Sequence, residues 1–156
     1  KFEEYESTED LPVDERELLL HAEKAIEKAY APYSHYRVGA AVRLTNGKVF
    51  TANNQENAAY PSGLCAERIA MFYAMAAYPD EGITGIAITA RSADFVISDA
   101  VTPCGACRQV MAEYQSQQEN KFRVIMKGEK GPVLVAPSLE DLLPLMFHAE
   151  ELKRNH

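Results

Sequence analysis

The sequence predicts an α/β protein, a three-layer α/β/α sandwich around a mixed sheet of about five strands. Two observations carry this. Helical and strand periodicities alternate along the chain, and the central β-α-β-α-β order asks for parallel strands joined by right-handed crossovers, with helices covering the sheet. The length, 156 residues and 17.4 kDa, suits one domain with its own core.

Residues 1–13 carry Glu3, Glu4, Glu6, Glu9 and Asp10 against Lys1 alone, and are expected to form an acidic, loose leader ending at Pro12. A single domain is expected over 14–150, with 151–156 as a tail. From Asp14 to Tyr30, apolar residues at Leu18, Leu19, Ala22, Ala25, Ile26, Ala29 and Tyr30 have helical spacing. An acidic first turn suits the helix dipole, and Ala31-Pro32-Tyr33-Ser34 stops the helix. Tyr36 to Thr45 alternates, with Val38, Ala40, Val42 and Leu44 on one face. Asn46-Gly47 signals a hairpin, and Lys48 to Asn53 returns. A polar loop over 54–63 leads to a buried helix, Leu64 to Tyr78, closed by Pro79. Ile83 to Ala90 reads as a strand. Thr102-Pro103 opens a helix to about Gln117, since Pro suits the first helical position. Phe122 to Lys127 is a strand and Pro132 to Val135 a short one. Ser138-Leu-Glu-Asp141 resembles a capping-box start to a last helix through Met146.

Composition narrows the function. Hydrophobic residues make up 47% and charged residues 25%, which excludes whole-chain disorder. Sixteen basic against 23 acidic residues give a net charge of −7. That balance argues against generic nucleic-acid binding and polybasic membrane docking. The longest apolar run, Ile69 to Tyr78, spans ten residues, short of the about 20 a membrane helix needs. The first residues have neither a basic nor an apolar leader region, so no signal peptide is expected. Three cysteines, Cys65, Cys104 and Cys107, do not read as a disulfide framework. A reducing, cytoplasmic setting fits them, with metal or redox chemistry as their use.

All three cysteines fall at expected helix starts that follow strands, where sites form in open α/β sheets. Helix N-termini favour thiolate over thiol. Cys104-x-x-Cys107 places two sulfurs within one turn, a spacing shared by metal and redox motifs. A third sulfur from Cys65 would complete a tripod that leaves tetrahedral zinc one open position. His21, His35, His148 and His156 lie away from these starts. Glu67 stands two residues beyond Cys65 at the head of an otherwise apolar helix, where a carboxylate beside zinc-activated water can move protons.

Cys65-Ala-Glu67, followed by Pro103-Cys-Gly-Ala-Cys107-Arg-Gln, resembles the signature of cytidine deaminases of the small, three-cysteine, homotetrameric type. Pro32-Tyr-Ser-His-Tyr36-Arg-Val-Gly-Ala-Ala, Asn54-Gln-Glu56-Asn-Ala-Ala-Tyr60 and Ser138-Leu-Glu-Asp-Leu-Leu-Pro144 are similar to that family as well, and the matches run in order from about residue 14 to 148. The resemblance implies a cytidine deaminase-like fold and one Zn²⁺ per chain on Cys65, Cys104 and Cys107. It implies hydrolysis of cytidine and deoxycytidine to uridine and deoxyuridine plus ammonia, in pyrimidine salvage. Glu67 would be the general acid/base.

The resemblance also assigns Asn54 and Glu56 to the ribose hydroxyls and the Ala66 backbone to the base. Tyr36 stands where the family often has a stacking phenylalanine, and Phe147 is similar to a C-terminal aromatic that reaches a neighbouring subunit's site, with core packing as its rival reading. The stripe of Tyr60, Met71, Phe72, Tyr73 and Met75 reads as core, part of it as subunit interface. Three thiolates on Zn²⁺ leave a net negative centre. Arg68, three residues after Cys65, and Arg108, four after Cys104, share helix faces with those cysteines and are expected to donate to sulfur. The rival readings are a deaminase of another nucleoside, base or polymer, a zinc module without catalysis, and a thiol–disulfide oxidoreductase.

Overall fold

The computed structural model describes residues 1–148, 150 and 152. The elements run β1 (Glu3–Tyr5), α1 (Val13–Ala25), β2 (Tyr36–Leu44), β3 (Val49–Asn53), α2 (Ala66–Ala77), β4 (Ile83–Ser92), α3 (Gly105–Ser116), β5 (Arg123–Lys127) and β6 (Val133–Ala136). The strands form one sheet in the order β1-β6-β5-β4-β2-β3. β4 and β5 pair parallel, and every other neighbouring pair is antiparallel.

Strand periodicity sorts the core into two layers. Successive residues of a strand point to opposite faces. Ala40 and Val42, Ile86 and Ile88, and Val124 and Met126 therefore face one way and pack with Ala70, Met71 and Ala74 of α2 and Met111 of α3. The intervening Ala41, Ala87 and Ile125 face the other way and pack with Leu18, Leu19 and Ala22 of α1. One helix thus covers one face and two helices the other, as the α/β/α expectation requires. The hairpin joining β2 to β3 turns at Gly47 with φ 85°.

β2 is antiparallel to both β3 and β4, so β3 and β4 run in the same direction with β2 between them. Both crossovers of the expected β-α-β-α-β order are present: β3-α2-β4 spans β2, and β4-α3-β5 joins parallel neighbours. α2 and α3 both start beyond the carboxyl ends of β3 and β4, at one edge of the sheet.

The structure departs from the sequence reading at both ends. The expected loose leader is pinned. Glu3 to Tyr5 pairs with Val133 to Val135 as a sixth strand, Tyr5 packs against the α1-side layer, and Leu11 is buried. Its acidity has a local partner. Arg123 on β5 pairs with Glu3 at 2.6 Å and also with the carboxylate of Glu15 on α1. At the other end, the expected helix from Ser138 to Met146 is only a single 3₁₀ turn, Leu139–Asp141. Pro144 disfavours helical conformation in the residue before it, and the Ser138 hydroxyl bonds the Glu140 carboxylate rather than a backbone N–H. The tail expected over 151–156 lies outside the described residues except for Leu152.

Leu19 has no exposed surface and fills the α1-side layer. Leu19→Ala is expected to destabilise the protein by about 2–5 kcal/mol, read as a lower urea midpoint.

Candidate active site

Each helix start supplies sulfur. Cys65 is the N-cap of α2 and Cys104 the N-cap of α3, both in extended backbone. Cys107 lies one turn into α3, and its N–H donates to the Cys104 sulfur at 3.5 Å. The Cys65 and Cys104 sulfurs stand 3.8 Å apart, and all three Sγ atoms lie within 4.8 Å of one another. A tetrahedral zinc with Zn–S bonds near 2.3 Å places its sulfurs about 3.8 Å apart. The donor set therefore fits zinc in both chemistry and spacing. Among the described residues, no His, Asp or Glu joins the cluster. Cys107 is buried, Cys65 half-buried and Cys104 exposed, and Cys65 and Cys104 line a cavity of about 880 Å³.

The electrostatics favour thiolate at Cys65. The Arg68 guanidinium donates to the Cys65 sulfur at 3.4 Å. A hydrogen bond from Cys107, with Arg68 and Cys104 adding to it, pulls the Cys65 thiol down to about 5. The same hydrogen bond pushes Cys107 upward. Glu67, the second residue of α2, is buried and lines the same cavity. Burial, with the nearby Cys65 charge, raises its carboxyl to about 7, so it can both take and give a proton near neutrality. Cys65 precedes the helix in extended backbone, so helical spacing does not set its direction relative to Glu67, and both residues line the same cavity.

The other expected residues fall in two groups. Tyr36, Asn54, Glu56, Ala66 and Arg68 line the cavity. Asn54 extends the β2 edge with its side chain. Its Oδ1 accepts from the Val38 N–H at 2.8 Å, and its Nδ2 donates to the Tyr36 carbonyl at 2.8 Å. An amide has two donor hydrogens and two lone pairs on oxygen, so Asn54 keeps one of each free. Glu56 accepts from the N–H groups of Tyr33 at 3.0 Å and Ser34 at 3.1 Å, and from the Ser34 hydroxyl. Desolvation acts to raise its carboxyl, but these hydrogen bonds outweigh it and hold it below its ordinary value. The Tyr36 phenol is pushed up by burial and then by the Glu67 charge. Its ring sits 6.4 Å from that of Phe95.

Arg108 and Phe147 lie elsewhere. Arg108 donates to the carbonyls of Pro103 at 2.9 Å and Leu142 at 2.7 Å. It ties the α3 start to the C-terminal segment rather than donating to sulfur, because carbonyls with free lone pairs lie within its reach. Phe147 is half-exposed and lines no part of this cavity, so core packing is not its role. Within the aromatic stripe, Met71 is buried and Met75 packs against the core, while Tyr60, Phe72 and Tyr73 are exposed. Sequence reasoning missed Tyr33 and Ser34, whose N–H groups hold Glu56. It also missed the segment from Ile97 to Val101, which forms a cavity wall. The first two sit inside a matched segment and were within reach, whereas the wall carries no periodicity or motif.

Three sulfurs would hold zinc and leave a tetrahedral ion one open position, and the protonatable Glu67 lines the same cavity as Cys65 and Cys104. This places the protein among zinc-dependent hydrolytic enzymes. The family model of the cytidine and deoxycytidylate deaminase zinc-binding region matches residues 12–121, and the chain belongs to that family. It is 37% identical over 140 residues to a cytidine deaminase of Sporosarcina psychrophila, covering 90% of this chain and 96% of that one. It is 38% identical over 140 residues to one of Halalkalibacterium halodurans, covering 90% and 98%. The crystal structure of cytidine deaminase from Burkholderia pseudomallei superposes with a TM-score of 0.73 at 42% identity, covering 84% of this chain and 97% of that one.

Arg68→Gln removes the cation from the Cys65 sulfur. It is expected to weaken zinc affinity about 10–100-fold, measured by competition with a chromophoric chelator.

Proposed function

We propose that the protein hydrolyses the C4 amino group of cytidine and deoxycytidine, giving uridine or deoxyuridine and ammonia. The observation that carries this reading is Glu67, a buried carboxylate raised to about 7 that lines one cavity with the three-cysteine cluster. The cavity's volume of about 880 Å³ lies in the range of small-molecule sites. The relatives' activity supports the choice of nucleoside.

Zinc, when bound, supplies the Lewis acidity that makes water a nucleophile near neutral pH. The chain's own residues do the rest. Glu67 accepts a proton from the attacking water and delivers it to N3 as oxygen bonds to C4. It then carries the remaining hydroxyl proton to the departing amino group. The C–N bond breaks, ammonia leaves, and a carbonyl remains at C4. Arg68 offsets the negative charge that three thiolates concentrate. The free N–H of Asn54 and the Glu56 carboxylate suit sugar hydroxyls, the Ala66 backbone suits the base edge, and Tyr36 offers a face for the pyrimidine.

The same reading takes the chain from β1 onward as one deaminase domain, because β1 completes its sheet, working as a homotetramer in cytoplasmic pyrimidine salvage. Exposed Tyr60, Phe72, Tyr73 and Phe147 support burial against other copies. The free cysteines suit a reducing compartment. No helix among the described residues is long and apolar enough to cross a membrane.

Glu67→Gln is expected to keep its zinc and lose about 10²–10⁴-fold in kcat/KM, followed by loss of cytosine absorbance together with ammonia release. A zinc-replete parent that turns over neither cytidine nor deoxycytidine overturns the reading in favour of another substrate or a zinc module without catalysis.

A further inference from the structure

In the segment from Ile97 to Thr102 every residue but Ser98 lines the cavity, and the segment leads directly into Pro103 and Cys104. It connects β4 to α3 and lies outside both elements, so something else must hold it. Its support is the turn of the β5–β6 hairpin. The Lys130 N–H donates to the Ile97 carbonyl at 3.0 Å. At Gly128, a Cβ would stand 2.4 Å from the Asp99 carbonyl oxygen and 2.7 Å from that of Ile97. At Gly131, which has φ +87°, a Cβ would stand 2.2 Å from the Ser98 carbonyl oxygen. Three successive carbonyls of this segment, those of the wall residues Ile97 and Asp99 and of Ser98 between them, therefore rest on one turn at distances that only glycine permits. The turn itself is held to β4, where the Thr89 hydroxyl donates to the Gly128 carbonyl at 3.5 Å.

We propose that Gly128 and Gly131 are positioning residues for the nucleoside, their missing side chains letting the hairpin seat the 97–101 wall and set the shape of the cavity. This rests on the nucleoside reading above and adds to it a determinant of substrate fit outside the cysteine cluster and Glu67. The atoms a Cβ would meet are backbone, which cannot rotate aside as a side-chain end can. A side chain at either position must displace the wall. Neither glycine touches Glu67 or the cysteine sulfurs, so substrate affinity should suffer more than the chemical step.

The test is a matched set of variants. Gly47 in the β2–β3 hairpin has φ +85° but nothing within 4 Å of its Cβ position, so Gly47→Ala carries the backbone strain of Gly131→Ala without touching the wall. Gly131→Asn and Gly47→Asn reduce that strain, because Asn tolerates left-handed backbone, while retaining the Cβ. Gly128→Ala carries the clash without left-handed strain. Melting temperature, zinc content, KM and kcat for cytidine, and Kd for uridine are measured for each.

Gly128→Ala and Gly131→Asn are expected to keep parental zinc, raise KM and the uridine Kd about 10-fold or more, and hold kcat within about 3-fold, the pattern of lost ground-state binding. Gly47→Ala is expected to lower the melting temperature and leave KM and Kd unchanged. Should Gly131→Ala fail to fold, Gly128→Ala and Gly131→Asn decide the matter. Parental KM and Kd in both of these variants overturns the inference while leaving the deaminase reading intact. A zinc-replete parent inactive on cytidine and deoxycytidine overturns the deaminase reading and this inference with it.

Discussion

Everything at the site depends on two strands running the same way. β3 and β4 are separated by β2 yet share a direction, because β2 is antiparallel to both. Each therefore delivers the chain to the same edge of the sheet, and each is followed by a helix whose N-cap is a cysteine. The positive ends of α2 and α3 meet there. Thiolates are costly to cluster, and helix N-termini are where their charge is best tolerated. Were either strand reversed, Cys65 and Cys104 would lie at opposite edges of the sheet.

Charge, more than shape, is the difficulty this arrangement must manage. Three thiolates around Zn²⁺ give a net charge of −1, and Glu67 adds a buried carboxylate close by. The site answers with the Arg68 cation at the Cys65 sulfur, and with burial that raises the Glu67 carboxyl to about 7. These two solutions are linked. A carboxylate fully ionised beside the thiolates would have no proton to give. One in bulk water would have no reason to hold its proton near neutrality. Burial at the head of an apolar helix supplies the condition, and the residues around Glu67 in α2, Ala66, Ala70, Met71 and Ala74, are fully buried.

What could be read from the sequence was whatever is local. The alternation of Val38, Ala40, Val42 and Leu44 identifies one face of β2, and a Cys at each expected helix start, on the expected fold, brings the three sulfurs to one edge of the sheet. Long-range pairing was not readable. Glu3 and Glu15 meet Arg123 across 120 and 108 positions, so an acidic stretch that composition marks as loose is instead tied to the sheet edge. Arg108 shows the limit of helical spacing. Four residues from Cys104 puts it on the correct face, but the carbonyls of Pro103 and Leu142 take its donors. Asn54 was assigned to the cavity, yet that its amide also completes the β2 edge depends on Tyr36 and Val38 lying opposite it.

This split between local and distant determinants follows a split in function. The groups that move protons and hold the metal lie within a few residues of two helix starts and carry a strong motif. The groups that shape the cavity are backbone atoms of two loops and of the start of β2, held by partners distant in sequence: Tyr33 and Ser34 by Glu56, Tyr36 and Val38 by Asn54, and the 97–99 carbonyls by the 128–131 turn. Chemistry of this kind tolerates little change, because each atom has a defined distance to another. Cavity shape can shift by substitutions that touch neither zinc nor Glu67. A change of substrate within this fold would therefore leave the cysteine motif intact and appear in the residues that seat the loops, positions that look structural until the carbonyls resting on them are traced to the wall of the site.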